Sequence, residues 1–332
     1  MGSQVLKNFT QSNDPEIILV TGANGFVGHH VAIKLSELPN YEVRACIREN
    51  KNHNLPENIK IFSNLDLIKK NDWNLALSRV NCIIHCAARV HIMHDKSTNP
   101  LTEFRKINVH ATIELAKQAI TNKVKRFIYL SSIKVNGENS LIGKPFTAED
   151  PVNPCDPYAI SKMEAEQALI SLAKQTTMEI VIIRPPLIYG TGVKANFKSM
   201  INWINKSIPL PLNNIKNKRS FVSIENLIDF IKLCIVHPKA ANQVFLVGDG
   251  EDLSTTELLI KIANALNKPL FWLPIPLGIV RLFAKIFNKY NLNNKLFDNL
   301  QIDLNKNKKL LGWEPLININ FSLKLIADSL KK

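Results

Sequence analysis

The feature that most narrows the fold is a short apolar run that ends in three glycines. Ile17-Ile18-Leu19-Val20 is followed at once by Thr21-Gly22-Ala23-Asn24-Gly25-Phe26-Val27-Gly28. An apolar run of this length, bounded by turn residues, reads as a strand buried on both faces. From Phe26 the pattern becomes helical to about Leu38, where Pro39-Asn40 stops it. In such a strand–turn–helix unit, Gly22 permits the tight turn and Gly25 lets the backbone approach a pyrophosphate. Gly28 lets helix and strand pack closely. The start of the helix then offers unpaired N–H groups and a partial positive charge to an anion. The expected ligand is a dinucleotide.

Further strands alternate with helical stretches. Tyr41–Ile47, Cys82–Ala87, Arg126–Leu130, Val181–Ile183 and Gln243–Val247 read as strands, and Thr102–Ile120 and Tyr158–Lys174 as helices. That order predicts an α/β chain with a doubly wound, Rossmann-type parallel sheet, its crossovers right-handed. After Arg184, proline and asparagine become frequent, and Asp252–Leu266 reads as a helix capped by Ser254 or Thr255. The expected organisation is a dinucleotide-binding domain at 14–184 and 221–248. A smaller α/β substrate-binding region is expected at 185–220 and 249–332.

Composition closes off other classes. An apolar share of 45% is too high for a disordered chain, and five cysteines in 332 residues are too few for a disulfide scaffold. Met1–Asp14 is polar and carries no signal sequence, so a cytoplasmic protein with reduced thiols is expected. The net charge of +14 comes mostly from scattered lysines, without a dense basic block, so nucleic acid is not an expected partner. Leu273–Lys289 has a basic amphipathic character but is broken by Pro274 and Pro276. It reads as a packed helix rather than a membrane contact. Cys82, His85, Cys86, His91 and His94 match no zinc spacing, and the first three share one strand whose alternate side chains diverge, so no metal is expected.

The chemistry-bearing residues lie further along. Tyr158 and Lys162 stand one helical turn apart on one face. A lysine cation beside a phenol favours the phenolate, and such a tyrosine can act as a general acid/base near neutral pH. Ser132 follows the strand ending at Leu130, which puts a hydroxyl at the carboxyl edge of the sheet, where ligands bind in these folds. There it can hydrogen-bond the reacting oxygen alongside Tyr158.

Taken in order, the glycine turn, Ser132, Tyr158 and Lys162 resemble the extended branch of the short-chain dehydrogenase/reductase superfamily. The resemblance implies hydride transfer between a nicotinamide and a carbinol carbon, with Ser132, Tyr158 and Lys162 catalytic. Asn108 matches the family's supporting asparagine. Cofactor contacts are implied at Gly22, Asn24, Gly25, Phe26, Val27, Gly28, Asp66, Leu67, Ala87, Ala88, Tyr158, Lys162 and Pro185. Arg184-Pro185-Pro186-Leu187-Ile188-Tyr189-Gly190 resembles a family segment that runs beside the nicotinamide. Leu310-Leu311-Gly312-Trp313-Glu314-Pro315 resembles a structural family motif near the C-terminus.

Together these point to the nucleotide-sugar epimerase/reductase family, which implies substrate contacts at Ser132, Tyr158, Asn196, Phe197 and Arg219. An arginine fork suits diphosphate oxygens. Asn294–Gln301 lacks the second arginine of many UDP-hexose epimerases. The 4,6-dehydratases carry Asp-Glu after the catalytic serine or threonine, whereas this chain has Ile133-Lys134, which argues against elimination. Two C4 chemistries remain, ketoreduction and epimerisation. The second strand ends in Arg48, which suits a 2′-phosphate, although Glu49 beside it can bind a ribose. That favours NADP(H) over NAD(H). The segments around His85–His91 and Ser131–Glu138 resemble bacterial polysaccharide-cluster enzymes, some of them UDP-4-keto-6-deoxy-N-acetylhexosamine reductases. A 4-ketoreductase in surface-polysaccharide (O-antigen) precursor synthesis is therefore the leading reading. A UDP-hexose or UDP-N-acetylhexosamine 4-epimerase is the alternative, and a non-catalytic NAD(P)H sensor the second. The family also implies a homodimer built through a four-helix bundle.

Overall fold

The computed structural model describes residues 14–48, 54–63, 65, 72–90, 99–276, 278–279 and 296–331. The strands in chain order are β1 (Glu16–Thr21), β2 (Tyr41–Cys46), β3 (Lys60–Phe62), β4 (Cys82–His85), β5 (Arg126–Leu130), β6 (Glu179–Arg184), β7 (Leu187–Tyr189), β8 (Arg219–Ser223), β9 (Gln243–Leu246) and β10 (Asp252–Leu253). The helices are α1 (Phe26–Ser36), α2 (Asn74–Leu77), α3 (Pro100–Arg105), α4 (Thr112–Thr121), α5 (Pro157–Ala173), α6 (Ala195–Asn205), α7 (Ile224–Val236), α8 (Thr255–Leu266), α9 (Asn305–Leu311) and α10 (Ile319–Ser329). A π-helical segment, Lys106–Ala111, joins α3 to α4.

Seven strands form one sheet in the order β3-β2-β1-β4-β5-β6-β9, and every pairing in it is parallel. The doubly wound sheet expected from the sequence is therefore present. Ile18 and Val20 of β1 enter the core on one face with Val31, Leu35, Leu227 and Phe230. Ile17 and Leu19 enter the other core with Leu115, Ala119, Ala165 and Leu169. Alternate side chains of one strand thus serve two cores, which is why the strand reads as a continuous apolar run. Arg126 closes the end of α7, donating through Nη1 to the carbonyls of Cys234 at 2.6 Å and Ile235 at 2.7 Å. Those carbonyls have no partner inside the helix.

From β1 the chain winds outward through β2 and β3, then returns to β4 on the other side of β1 and continues through β5, β6 and β9. The reversal leaves a crevice at the carboxyl ends of β1 and β4, the usual ligand position in such sheets. A second sheet, β10-β8-β7, packs with α6, α8 and α10 around Tyr189, Phe197, Leu259, Ile262 and Leu323. Phe26 packs against both this cluster and the first core. Leu311 and Trp313 return to the first core, where the Trp313 ring meets Phe230 with centroids 4.8 Å apart. The Leu-Gly-Trp motif thereby ties the C-terminal segment to the main sheet. Among the described residues, no helix is long and apolar enough to cross a membrane.

Candidate active site

The crevice is built first by the glycine turn. Gly22 has φ +67°, and a Cβ there would lie 2.8 Å from the Ala87 backbone at the end of β4. Thr21 Oγ1 accepts from the Ala87 N–H at 3.3 Å, so the two strand ends are sewn together beneath the turn. A Cβ on Gly28 would lie 2.4 Å from the Gly22 carbonyl oxygen. Gly25 caps α1 without any side-chain hydrogen bond, and Asn24 and Gly25 are exposed. The first N–H groups of α1 therefore meet no capping side chain from this position. This fits the pyrophosphate of an NAD(P) dinucleotide. Ala87 and Ala88 are half-buried beside the turn.

Ser132, extended at φ −156°, follows β5 and caps the short 3₁₀ turn Ile133–Val135 by accepting from the Lys134 N–H at 3.3 Å. Its neighbour Ser131 is buried and donates instead to Glu166, which leaves Ser132 as the hydroxyl facing the crevice. Helix α5 carries the other two residues. Asp156 caps it, accepting from the Ala159 N–H at 2.7 Å, and Pro157 takes the first helical position. Tyr158 then lies in the first turn, where the Ser132 hydroxyl bears on its phenol. The Phe104 ring packs edge-on against Tyr158, with centroids 6.0 Å apart.

Lys162 is buried one turn later. Its Nζ donates to the Leu130 carbonyl at 2.7 Å and sits 4.5 Å from the centre of the Tyr129 ring. Burial lowers its pKa to about 8, opposed by Cys86 and Glu166. The Tyr158 phenol is pushed up to about 12, first by burial and then by the Asp156 carboxylate, while the Ser132 hydrogen bond acts the other way. The expected lowering of this phenol by Lys162 is thus not found. The ammonium is engaged by the Leu130 carbonyl and the Tyr129 ring, and enclosure dominates.

Asn108 lies in the π-helical segment, where an extra residue in the turn re-aims a side chain. It is buried, with Oδ1 accepting from the Arg89 N–H at 2.8 Å. Its Nδ2 donates to the Arg89 carbonyl at 3.1 Å and to Ser161 Oγ at 2.9 Å. Ser161 Oγ in turn donates to the Tyr158 carbonyl at 2.7 Å. Asn108 therefore links the loop after β4 to the catalytic helix.

Other residues of the quoted motifs differ in how far their side chains are buried. Arg184 does not face the crevice: its side chain is buried against Glu166, with Nη2 to Oε2 at 2.5 Å, and Nη1 donates to Asn136 at 3.0 Å. Tyr189, in the same segment, is buried and donates to Asp249 at 2.6 Å. Pro185 is buried, and its carbonyl is taken by the Ile133 N–H at 3.0 Å. The Phe197 side chain is 1% exposed and stacks on Tyr189, because the third residue of α6 faces its core, so it offers no side-chain contact to a ligand. Asn196 is exposed at the start of that helix. Arg219 is half-buried on β8 and donates to the Asp298 carbonyl at 2.9 Å; burial lowers its pKa, against the pull of Asp298. Arg48 is exposed just past the end of β2. Asp66, Leu67, Glu49, His91, His94 and most of Leu273–Lys289 lie outside the described residues.

Glu166, Asp156 and Lys134 were not singled out from the sequence. The four-residue spacing Tyr158, Lys162, Glu166 marks one helix face, and Asp156-Pro157 has the composition of a helix start, so both signals were present. His85 is likewise structural. It is buried on β4, with Nδ1 2.8 Å from Thr21 Oγ1 and Nε2 2.9 Å from Thr112 Oγ1. Among the described residues, no group of three or more His, Cys, Asp or Glu side chains is arranged to hold a metal ion.

Known proteins resemble this chain in sequence and in fold. The pattern of the NAD dependent epimerase/dehydratase family matches residues 18–248. A UDP-glucose 4-epimerase of Vibrio cholerae is 48% identical over 318 residues, covering 95% of each chain. A UDP-N-acetylglucosamine 4-epimerase structure from Methanobrevibacter ruminantium superposes with a TM-score of 0.77 at 20% identity, covering 96% of this chain and 99% of that one. The NAD complex of a Thermus thermophilus UDP-glucose 4-epimerase also gives 0.77, at 19% identity, covering 95% and 99%. At those identities the two structures speak for the fold alone. The family match, the full-length similarity and the serine–tyrosine–lysine geometry lead to one conclusion: this chain belongs to the NAD dependent epimerase/dehydratase family, in the extended branch of the short-chain dehydrogenase/reductases.

Proposed function

We propose that the protein is a 4-epimerase of a UDP-hexose or UDP-N-acetylhexosamine that retains NAD. The observation that carries this reading is the 48% identity to a UDP-glucose 4-epimerase along 95% of both chains. It favours epimerisation over the 4-ketoreduction that the motifs put first. The exposed Arg48 past β2 still favours the second reading, an NADPH-dependent reductase, through its fit to a 2′-phosphate.

The turn at Gly22–Gly28, with Ala87 and Ala88, would hold the dinucleotide, and Lys162 its nicotinamide ribose. When bound, NAD supplies an acceptor and later a donor for the hydride on the sugar C4. Tyr158 Oη takes the proton from the C4 hydroxyl and returns it to the oxygen of the 4-keto sugar. Ser132 Oγ holds that oxygen beside Tyr158. Lys162, a cation at neutral pH, favours the phenolate once its carbonyl contact is exchanged for a ligand. Asn196 and Arg219 would meet the substrate diphosphate, and two copies of the chain would pair through a four-helix bundle.

The test is to denature the purified protein and identify any released dinucleotide by mass spectrometry. Near-stoichiometric NAD is expected, together with interconversion of UDP-glucose and UDP-galactose or of their N-acetyl forms. An empty protein that binds NADPH more tightly than NADH overturns the reading in favour of the reductase. Tyr158→Phe is expected to keep its dinucleotide and lose about a thousandfold in turnover, within the range of a general acid/base. Unchanged turnover or glycan synthesis in that variant would return the sensor reading.

A further inference from the structure

The Lys134 side chain takes no part in the reaction described above, yet it lies within the serine–tyrosine constellation. Its backbone N–H donates to Ser132 Oγ at 3.3 Å. Its ammonium is paired with Asp156, the residue that caps α5 and stands two positions before Tyr158. A second, longer pairing reaches Glu138 at 3.4 Å. The Ser132 hydroxyl also bears on the Tyr158 phenol, opposing the effect of burial. The residues are thus connected in series: Ser132 Oγ to the Lys134 backbone, the Lys134 ammonium to Asp156, and Asp156 through the first turn of α5 to Tyr158. Asp156 uses one carboxylate oxygen for the Ala159 N–H and the other for Lys134, so its charge is held in place beside the phenol.

We infer that Lys134 is a positioning residue of the reaction centre, locking the Ser132 turn to the start of the catalytic helix and neutralising the Asp156 carboxylate next to Tyr158. The inference rests on the reading that Tyr158 moves the proton.

Among the described residues, the charged and titratable groups around the phenol are few. On α5 they are Asp156 and Lys162, with Glu166 a turn beyond but paired to Arg184. From β5 there is Tyr129, and from the turn after it Lys134 and Glu138. From α3 comes the neutral Phe104 ring, with the Arg89 guanidinium 5.6 Å from its centre. Without the Lys134 ammonium, the Asp156 carboxylate two residues from Tyr158 opposes a second negative charge on the phenolate more strongly.

The experiment uses the full-length protein loaded with NAD. Ionisation of Tyr158 is followed as the ultraviolet phenolate difference between each protein and its Tyr158→Phe counterpart, beside the pH profile of UDP-galactose turnover. In Lys134→Met the phenolate transition and the acid limb of the profile move together to higher pH by about one unit, with about tenfold lower turnover below the limb and normal turnover above it. Lys134→Arg keeps the normal position. Adding Asp156→Asn to Lys134→Met, which preserves the cap, brings the transition back. If Lys134→Met does not fold, Asp156→Asn alone is read, and it moves the transition down. A transition unmoved by Lys134→Met or by Asp156→Asn, or a loss of turnover equal at every pH, overturns the inference. A Tyr158→Phe enzyme with undiminished turnover overturns the underlying reading instead.

Discussion

Glu166 illustrates how much of this site is held from behind. It is a buried carboxylate on the catalytic helix, sharing its oxygens between the Arg184 guanidinium and the Ser131 hydroxyl. Removing one partner of such a pair leaves the other as an uncompensated buried charge. Glu166→Ala is therefore expected to lower stability by about 3–5 kcal/mol. A drop in the urea midpoint at unchanged slope would register it. Replacing both partners by apolar residues should recover part of the loss. At this scale the sequence was informative about reactive groups and poor about their supports. Ser132, Tyr158 and Lys162 are recognisable because their chemistry restricts residue type and spacing. The ion pair behind them joins α5 to β6, and no local pattern announces a partner on another element. Phe197 was read as a substrate contact for the same reason: a motif gives position along the chain, whereas the packing of α6 decides which way the side chain turns.

Among the elements, the first strand–turn–helix is the most constrained. A Cβ on Gly28 would fall 2.4 Å from a carbonyl oxygen that cannot retreat without opening the turn. Gly28→Val is expected to loosen the seat of α1 and weaken dinucleotide binding at least tenfold, measured by titration of NAD against protein fluorescence. Wild-type affinity in that variant would mean the turn tolerates displacement. Apart from β3, the strands of the main sheet were legible because a parallel strand buried on both faces is nearly all apolar. The short β3, β7, β8 and β10 were not. Runs of two to five residues carry too little periodicity, and Arg219 in particular reads as loop until β7 and β10 pair on either side of β8. The π-helical segment around Asn108 also left no trace in the residue pattern, since one extra residue per turn changes neither composition nor length. The capping box of α8 was the opposite case: Ser254 and Glu257 bond reciprocally, and the cap could be read from residue type alone.

For the molecule as a whole, one buried histidine should shape the response to acid. Burial, helped by Lys162, lowers the pKa of His85 to about 3 from an ordinary 6.5. The unfolded chain therefore binds a proton that the folded chain refuses across that interval. The contribution is complete above pH 6.5 and is lost as pH falls towards 3. The unfolding free energy should fall with a slope of up to about 1.4 kcal/mol per pH unit from this site. Urea unfolding at several pH values below 6.5 should show a shallower decline in His85→Gln than in the natural protein; parallel declines would assign the acid sensitivity elsewhere.

The path of the chain between the last two strands of the main sheet has a further consequence. Val181 of β6 pairs with Gln243 of β9, and β7, α6, β8 and α7 all lie between them. A ribosome must therefore deliver the whole of that excursion before the seventh strand emerges. Until then the outer edge of β6 has no partner, and unpaired strand edges invite association with other chains. Sequence-distant pairings also form slowly. The nascent protein thus passes through an interval in which its reaction-centre residues have all been made, while the sheet that carries them still lacks its border.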